Sequence, residues 1–156
     1  MTEGKPIDEN LDAGGLKFGV LCARFNDFVT HALLAGALDA LKRSRASDIE
    51  VVHVPGAWEL PLAAKAMAEA TKPDAIIALG AVIRGDTPHF EFVAGQAASG
   101  LMTVQIETGI PVAFGVLTTN TIEQAQDRAG GKDGNKGYDA ALTAIEMANL
   151  IRRLRK

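Results

Sequence analysis

The sequence predicts a three-layer α/β sandwich in which helices cover both faces of a four-stranded parallel sheet. Two observations lead to this prediction. Four short, mostly apolar segments alternate with helical segments along the chain, and they are rich in Val, Ile, Leu and Ala in continuous rather than alternating runs. Such runs are typical of strands that are buried on both faces of a parallel sheet. Right-handed crossovers between them give the doubly wound arrangement.

Each element has its own local signal. Strands are predicted at residues 16–23, 49–54, 74–83 and 111–118. The first helix follows Asn26 and Asp27, which can cap it, and further helices are predicted at 58–70, 89–109 and 138–153. For the helix at 89–109, Thr87 is a candidate N-cap and Pro88 suits the first helical position. Thr121 and Gln124 have the spacing of a capping box before a short helix, and a glycine-rich break is expected at 130–137.

Length and composition limit the function classes. A chain of 156 residues suits one domain, here predicted at 16–156 behind a flexible N-terminal tail at 1–15. The net charge of −3 offers no basic field for nucleic acid. Cys22 is the only cysteine, so neither an intrachain disulfide nor a cysteine-based metal site is expected. No apolar stretch approaches the roughly 20 residues that span a bilayer, so a cytoplasmic protein without membrane contact is predicted.

Polar and aromatic residues follow each predicted strand. These tips are residues 24–26, 55–59, 84–89 and 118–120. Because the carboxyl ends of parallel strands lie at one edge of a sheet, the four tips are expected to form a single ligand-binding edge. The alternative is ordinary loop composition without a ligand.

The third tip combines two chemical functions. Gly85 allows a sharp turn, and the helix that follows Thr87 presents free N–H groups and a partial positive charge, which suit a phosphate or carboxylate. His89 lies in the first turn of that helix, where the dipole disfavours the imidazolium and leaves an imidazole that can accept a proton. A histidine in this position is more often structural or solvated than catalytic.

Other residues near the tips have two possible roles. Phe25 and Trp58 could stack on a flat heterocycle or belong to the core. Glu59 could accept hydrogen bonds from hydroxyl groups, and Arg128 and Lys136 are either ligand-binding cations or surface charges. Neither a phosphate-binding GxxxxGK motif nor a dinucleotide GxGxxG motif is present, so a nicotinamide enzyme is not expected.

The last predicted helix is apolar over more than half of its circumference, which is more than a sheet can cover. The additional apolar surface packs either on a neighbouring helix of the same chain or on another subunit. A subunit contact is favoured, because the preceding long helix is also poor in charge around residues 96–102.

Five segments taken together resemble the lumazine synthase family of riboflavin biosynthesis. They are ARFN, PGAWELP, GAVIRGDTPHFEFV, FGVLTT and RAGGKDGNKG, and the resemblance extends from about Leu16 to Leu150. It implies a flavodoxin-like fold and a transferase that needs no cofactor and no metal. The expected reaction joins 5-amino-6-(D-ribitylamino)uracil to 3,4-dihydroxy-2-butanone 4-phosphate, giving 6,7-dimethyl-8-ribityllumazine, phosphate and water.

The resemblance also implies an assembly and a set of site residues. Homopentamers are expected, which in some members form a sixty-subunit shell, with active sites between adjacent subunits and association with riboflavin synthase. His89 corresponds to the proton-transfer residue. The phosphate is expected at Asp86, Thr87 and Arg128, with the Asp86 side chain capping the helix. The residues expected to bind the pyrimidine and ribityl groups are Phe25, Asn26, Gly56, Ala57, Trp58, Glu59, Ala81, Val82, Ile83, Phe114 and Lys136, of which Phe114 and Lys136, like Arg128, come from the neighbour.

Two alternatives remain at the level of sequence. A small pentameric riboflavin synthase would use a related site, and a flavin or nucleotide carrier, or a packaging shell protein, would need no chemistry. His89 together with Arg128 favours an enzyme, because a carrier has no use for a base beside a phosphate ligand.

Overall fold

A computed structural model describes residues 4–156 and confirms the predicted α/β sandwich. The first three residues of the expected tail lie outside the described residues. The strands are β1 (Lys17–Ala23), β2 (Asp48–Val54), β3 (Ala75–Ile83), β4 (Val112–Thr119), β5 (Ala129–Gly131) and β6 (Gly134–Asn135). The helices are α1 (Asp27–Arg43), α2 (Leu60–Thr71), α3 (His89–Thr108), α4 (Ile122–Asp127) and α5 (Lys136–Leu154), and a 3₁₀ turn, Ala57–Glu59, precedes α2.

The main sheet has the strand order β2-β1-β3-β4, and all of its neighbours are parallel. Cys22 lies opposite both His53 and Leu79, and Ile83 lies opposite Thr119, so the carboxyl ends of the strands meet at one edge. The chain leaves β1 toward β2 on one side and later continues from β3 toward β4 on the other. The reversal between β1 and β3 is a topological switch point, where open α/β sheets bind ligands.

Alternate residues of the strands pack into two separate hydrophobic cores, one on each face of the sheet. Ile77 and Leu79 of β3 pack with α1 and α5 on one face, whereas Ile76 and Ala78 pack with α2 and α3 on the other. This division follows from the two-residue period of a strand. Strand β2 departs from the expectation of a covered sheet, because only its last residue, Val54, is fully buried. It is the edge strand, and the helices of this chain do not extend over it.

Several predicted boundaries hold and others need correction. The Thr121–Gln124 capping box is present, with both of its reciprocal hydrogen bonds. The predicted start of α3 at His89 is confirmed, but the N-cap is Pro88 and not Thr87, so Pro88 is not the first helical residue as predicted. The break expected at 130–137 is instead the β5–β6 hairpin, because Gly130 and Gly134 adopt positive φ angles and turn the chain back on itself.

The end of the predicted tail contacts the body of the protein. Ala13 is fully buried, and Asn149 Nδ2 donates to the carbonyls of Asn10 (2.8 Å) and Asp12 (3.0 Å). Asp12 also pairs with Arg45. Residues 10–13 of the predicted tail are therefore anchored to the body of the protein.

Helix α5 obtains much of its apolar contact from α1, whose residues share a core with it. The largest exposed apolar side chains lie instead on the opposite face, at Leu62 of α2 (76% exposed) and Ile106 of α3 (73% exposed). No helix within residues 4–156 is both long and apolar enough to cross a membrane.

The close approach of α1 and α5 depends on Gly137. A Cβ atom at this position would lie 2.0 Å from the backbone oxygen of Leu33, which cannot move aside without displacing α1. We therefore expect Gly137→Ala to lower the free energy of unfolding by about 1–3 kcal/mol, measured by chemical denaturation.

Gly4→Ala is the control, because a Cβ on this glycine would meet no atom within 4 Å and Gly4 lies outside every helix and strand. It should leave the free energy of unfolding unchanged to within about 0.5 kcal/mol, since surface substitutions away from packed contacts rarely exceed that. Equal unfolding free energies for the Gly137 variant and the parent chain would contradict the packing described for α1 and α5.

Candidate active site

A small cavity lies at the topological switch point, and we call it the tip cavity. It has a volume of about 230 Å³. Its walls come from the ends of β1 and β3, the loop after β2 and the start of α3. The lining residues are Phe25, Asn26, Ala57, Ala81, Val82, Ile83, Gly85, Thr87, His89, Phe90 and Val93.

Asn26 fixes one wall of the tip cavity by joining β1 to β3. Its backbone is left-handed (φ 64°), a conformation that asparagine tolerates better than most residues. Its side-chain Nδ2 donates to the carbonyl of Ala81 (2.9 Å), so it does not cap α1 as was predicted. Phe25 is held by its backbone, whose N–H donates to Pro55 O (2.9 Å). Its ring is 71% exposed and is available for stacking.

The loop after β2 forms the rim beside Phe25. Ala57 is buried and lines the cavity, whereas Gly56, Trp58 and Glu59 do not. Gly56 lies close to the cavity all the same, because a Cβ on it would be 3.4 Å from Glu59 Oε1 and 3.8 Å from the Phe25 Cβ. Trp58 is 57% exposed, so of the two roles considered for it, packing in the core of this chain does not apply.

The turn between β3 and α3 forms the opposite rim. Thr87 and His89 line the cavity and are exposed to solvent, while Asp86 is exposed outside it. In the described chain no side chain caps α3, so the capping expected from Thr87 and Asp86 is absent. The N–H groups of His89 and Phe90 are therefore open to an anion, whereas that of Glu91 already donates to the carbonyl of Pro88 (3.1 Å).

A second cavity, of about 540 Å³, lies beside the edge strand β4, and we call it the edge cavity. Phe114, Arg128 and Lys136 line it, together with the fourth strand tip, residues 118–120, which was expected to share one ligand-binding edge with the other three tips but does not line the tip cavity. Arg128 Nη1 donates to the carbonyl of Gln124 (3.0 Å), and the same nitrogen lies 3.8 Å from Asp133 Oδ2. The contact with Asp133 is long, so the guanidinium keeps donors for a further ligand.

The predicted site residues therefore fall into two groups on one chain. The tip and edge cavities have no lining residue in common. Sequence reasoning missed Phe90 and Val93, which face the tip cavity from one side of α3, and Asp133 and Asp139 in the edge cavity. The available signal was helical spacing: Val93 lies three residues after Phe90 and four after His89, so it shares a helix face with both.

Two larger hollows lie elsewhere. One, of about 840 Å³, separates residues 6–10 from the end of α5, and another, of about 640 Å³, lies at the amino ends of the strands. Both are lined by charges of mixed sign and by no aromatic side chain. We place the active site at the tip cavity because aromatic, amide and imidazole groups converge there at the switch point.

Nucleophilic and metal-based sites find no support in the part of the chain that is described. Cys22 is buried near Thr30, and burial raises the pKa of its thiol, so it stays protonated at neutral pH. Within residues 4–156, His, Cys, Asp and Glu side chains form no group of three that could hold a metal ion.

The doubly wound sheet, the open helix N-terminus and the histidine beside it define an α/β enzyme that acts on a flat ring and an anionic group. A family model described as 6,7-dimethyl-8-ribityllumazine synthase matches residues 15–152. The 6,7-dimethyl-8-ribityllumazine synthase of Syntrophus aciditrophicus (strain SB) is 56% identical over 156 residues, covering 99% of this chain and 98% of the relative. The chain belongs to the 6,7-dimethyl-8-ribityllumazine synthase family.

This membership confirms the reaction predicted from the sequence and decides against the riboflavin synthase and carrier alternatives. The chain is a transferase of riboflavin biosynthesis. It condenses 5-amino-6-(D-ribitylamino)uracil with 3,4-dihydroxy-2-butanone 4-phosphate to 6,7-dimethyl-8-ribityllumazine.

Proposed function

We propose that the active site for this condensation combines the tip cavity of one subunit with the edge cavity of its neighbour. The observation that carries the proposal is the separation of the predicted site residues into two cavities on one chain. His89 and the phosphate turn line one cavity, while Arg128 lines the other. A second subunit, placed with its edge cavity over the first subunit's tip cavity, would bring the two groups together.

The pyrimidine is assigned to the strand half of the tip cavity. Phe25 supplies an exposed ring for stacking, and the ends of the buried strand at Ala81, Val82 and Ile83 supply a narrow floor. Asn26 shapes this floor, because its amide already holds the Ala81 carbonyl. The ribityl chain extends toward Gly56 and Glu59, whose carboxylate can accept hydrogen bonds from hydroxyl groups. Trp58 covers this loop from the solvent side.

The phosphate is assigned to the open first turn of α3. The free N–H groups of this turn and the adjacent Gly85 and Thr87 present donors, and the helix dipole favours a negative charge there. Asp86 is exposed and does not line the cavity, and its backbone N–H is assigned to the anion. Arg128 of the neighbour supplies the full positive charge that these amides lack, and Phe114 and Lys136 complete the wall.

The chemistry requires few groups beyond correct placement. The amine of the pyrimidine attacks the ketone of the butanone phosphate and one water leaves, the phosphate is eliminated, and a second water leaves when the ring closes. Holding the two substrates in reacting geometry can supply roughly 7–11 kcal/mol of the barrier. His89, exposed at the rim beside the phosphate turn, moves protons between the attacking amine and the leaving oxygens, which adds about 10²–10⁴-fold.

The exposed apolar surface supports a ring of subunits. Phe92, Met102 and Ile106 of α3 and Leu62 of α2 are all more than half exposed in the single chain. Apolar surface of this extent is typical of a protein–protein interface. We infer a homopentamer or a multiple of five, in the cytoplasm and associated with riboflavin synthase, as the resemblance of the sequence implies.

Native mass spectrometry of the purified protein checks the assembly. We expect a closed ring, because each chain carries one tip cavity and one edge cavity and a ring pairs them all, and we expect five subunits or a multiple of five because the resemblance of the sequence implies pentamers. A monomer that keeps full activity would contradict the shared site.

His89→Ala should lower turnover by about 10–10³-fold, because proton transfer is lost while substrate placement remains. Steady-state kinetics measures this loss, and product binding should stay close to that of the parent enzyme. His31→Ala is the matched control, since His31 is exposed on α1 away from both cavities. Unchanged turnover in the His89 variant would remove His89 from the mechanism.

Arg128→Ala should raise the Michaelis constant for the butanone phosphate by about 10–100-fold, since each hydrogen bond to a charged group contributes roughly 1.5–3 kcal/mol. The constant for the pyrimidine should change little, because that substrate carries no phosphate. Arg128→Lys should recover only part of the loss, because an ammonium cannot donate two parallel hydrogen bonds.

Lys132→Ala is the control for this variant, because Lys132 is a cation between β5 and β6 that does not line the edge cavity. It should leave both Michaelis constants unchanged. Equal losses for both substrates in Arg128→Ala would mean that Arg128 supports the fold or the interface instead of the phosphate.

A further inference from the structure

Arg84 makes a set of contacts that the proposed function does not use. It follows the last residue of β3 and lines neither cavity. Its Nε donates to the side-chain oxygen of Asn120 (2.9 Å), and its Nη1 donates to the carboxylate of Glu91. The guanidinium carbon lies 4.4 Å from the centre of the Phe90 ring, within the range of a cation–π contact.

These contacts connect a well-anchored segment to a poorly anchored one. Asn120 is fixed at the end of β4, because its N–H donates to Gln124 Oε1 (2.8 Å) and Gln124 belongs to the capping box of α4. The first turn of α3, in contrast, has no capping side chain in the described chain, and residues 85–89 before and within it are exposed. Phe90 and Glu91 are the next two residues after His89, so Arg84 contacts α3 directly beside the histidine.

We propose that Arg84 is a positioning residue for the reaction, which holds His89 and the phosphate turn in place by clamping the first turn of α3 to Asn120. This inference rests on the role proposed above for His89. Three different groups occupy the guanidinium: an amide oxygen, a carboxylate and an aromatic face. A planar guanidinium can satisfy these together, whereas the ammonium of lysine cannot.

The charge of Arg84 is directed away from the substrate. Glu91 lies in the first helical turn, where a carboxylate is favoured by the helix dipole. The hydrogen bond from Arg84 is the main cause that lowers the pKa of Glu91, so the ion pair persists at neutral pH and weakens only when the pH falls below the usual range of a glutamate. With its charge paired in this way, Arg84 is suited to hold the turn rather than to bind the phosphate.

A double-mutant cycle with Arg84→Ala and Glu91→Ala tests the clamp. A displacement of about 1 Å in a reacting group can cost about 10²-fold in rate, so each single variant should lower kcat by about 10–100-fold. The Michaelis constant for the pyrimidine should change by less than about threefold, whereas that for the butanone phosphate should rise together with the loss of kcat, because the clamp also holds the phosphate turn. The double variant should be no worse than the poorer single variant, since either substitution opens the same contact.

Arg84→Lys should recover only a minor part of kcat, and Arg43→Ala is the matched control. Arg43 makes a similar exposed pair with Asp39 on α1, away from both cavities, and its loss should leave kcat unchanged. Thermal unfolding of every variant separates a loss of clamping from a loss of fold: the Arg84 and Glu91 variants should keep the midpoint of Arg43→Ala to within a few degrees.

Three results would overturn the proposal. A raised Michaelis constant for the butanone phosphate in Arg84→Ala, with kcat unchanged, would make Arg84 a phosphate ligand. Normal kcat in Glu91→Ala, or additive losses in the double variant, would remove the clamp. The kinetics of His89→Ala separate this failure from that of the proposed function: if that variant loses turnover and Arg84→Ala does not, only the clamp is wrong.

Discussion

The reversal of strand order between the adjacent parallel strands β1 and β3 is the constraint on which the rest of this structure depends. It leaves a gap between the tips of two adjacent parallel strands, and the side chain of Asn26 spans that gap to the carbonyl of Ala81. The contact places Phe25 over the end of β3 and keeps the cavity small and apolar at its floor. The β3–α3 turn follows from the same geometry, because β3 is the strand that carries both the floor of the cavity and, directly after it, the open N-terminus of α3.

A second consequence of the topology is that one chain carries two separate cavities, which we propose to be the two halves of a shared site. The tip cavity lies at the switch point, whereas the edge cavity lies beside β4 and the β5–β6 hairpin, which the chain reaches only after passing α3. A ring of identical subunits resolves this division, since every tip cavity can be completed by the next subunit's edge cavity. The largely exposed edge strand β2 and the exposed apolar residues of α3 are consistent with surfaces that neighbouring subunits cover.

Most of the fold and about half of the site geometry could be predicted from the sequence, because apolar runs and strand tips depend on local pattern. His89, Thr87 and Phe25 were expected at one edge and line one cavity. Other features depend on contacts between distant segments. The sequence predicts Asn26 as a helix cap, but its side chain instead donates a hydrogen bond to the carbonyl of Ala81, 55 positions away. Residues 130–137 read as a break, but pairing between Ala129 and Asn135 makes them part of a hairpin. Arg84 had no local signal, since its partner Asn120 lies 36 positions away.

The most direct test of the shared site is complementation between two defective subunits. His89→Ala and Arg128→Ala chains, carrying different affinity tags and produced together, should form mixed rings that can be purified by both tags. In such rings about a quarter of the sites combine an intact tip cavity from one chain with an intact edge cavity from the next. The account predicts that the mixed rings recover up to about a quarter of the activity of the parent enzyme, when assayed below the Michaelis constant of Arg128→Ala. Activity no higher than the mean of the two separate variants would mean that each chain forms its site alone.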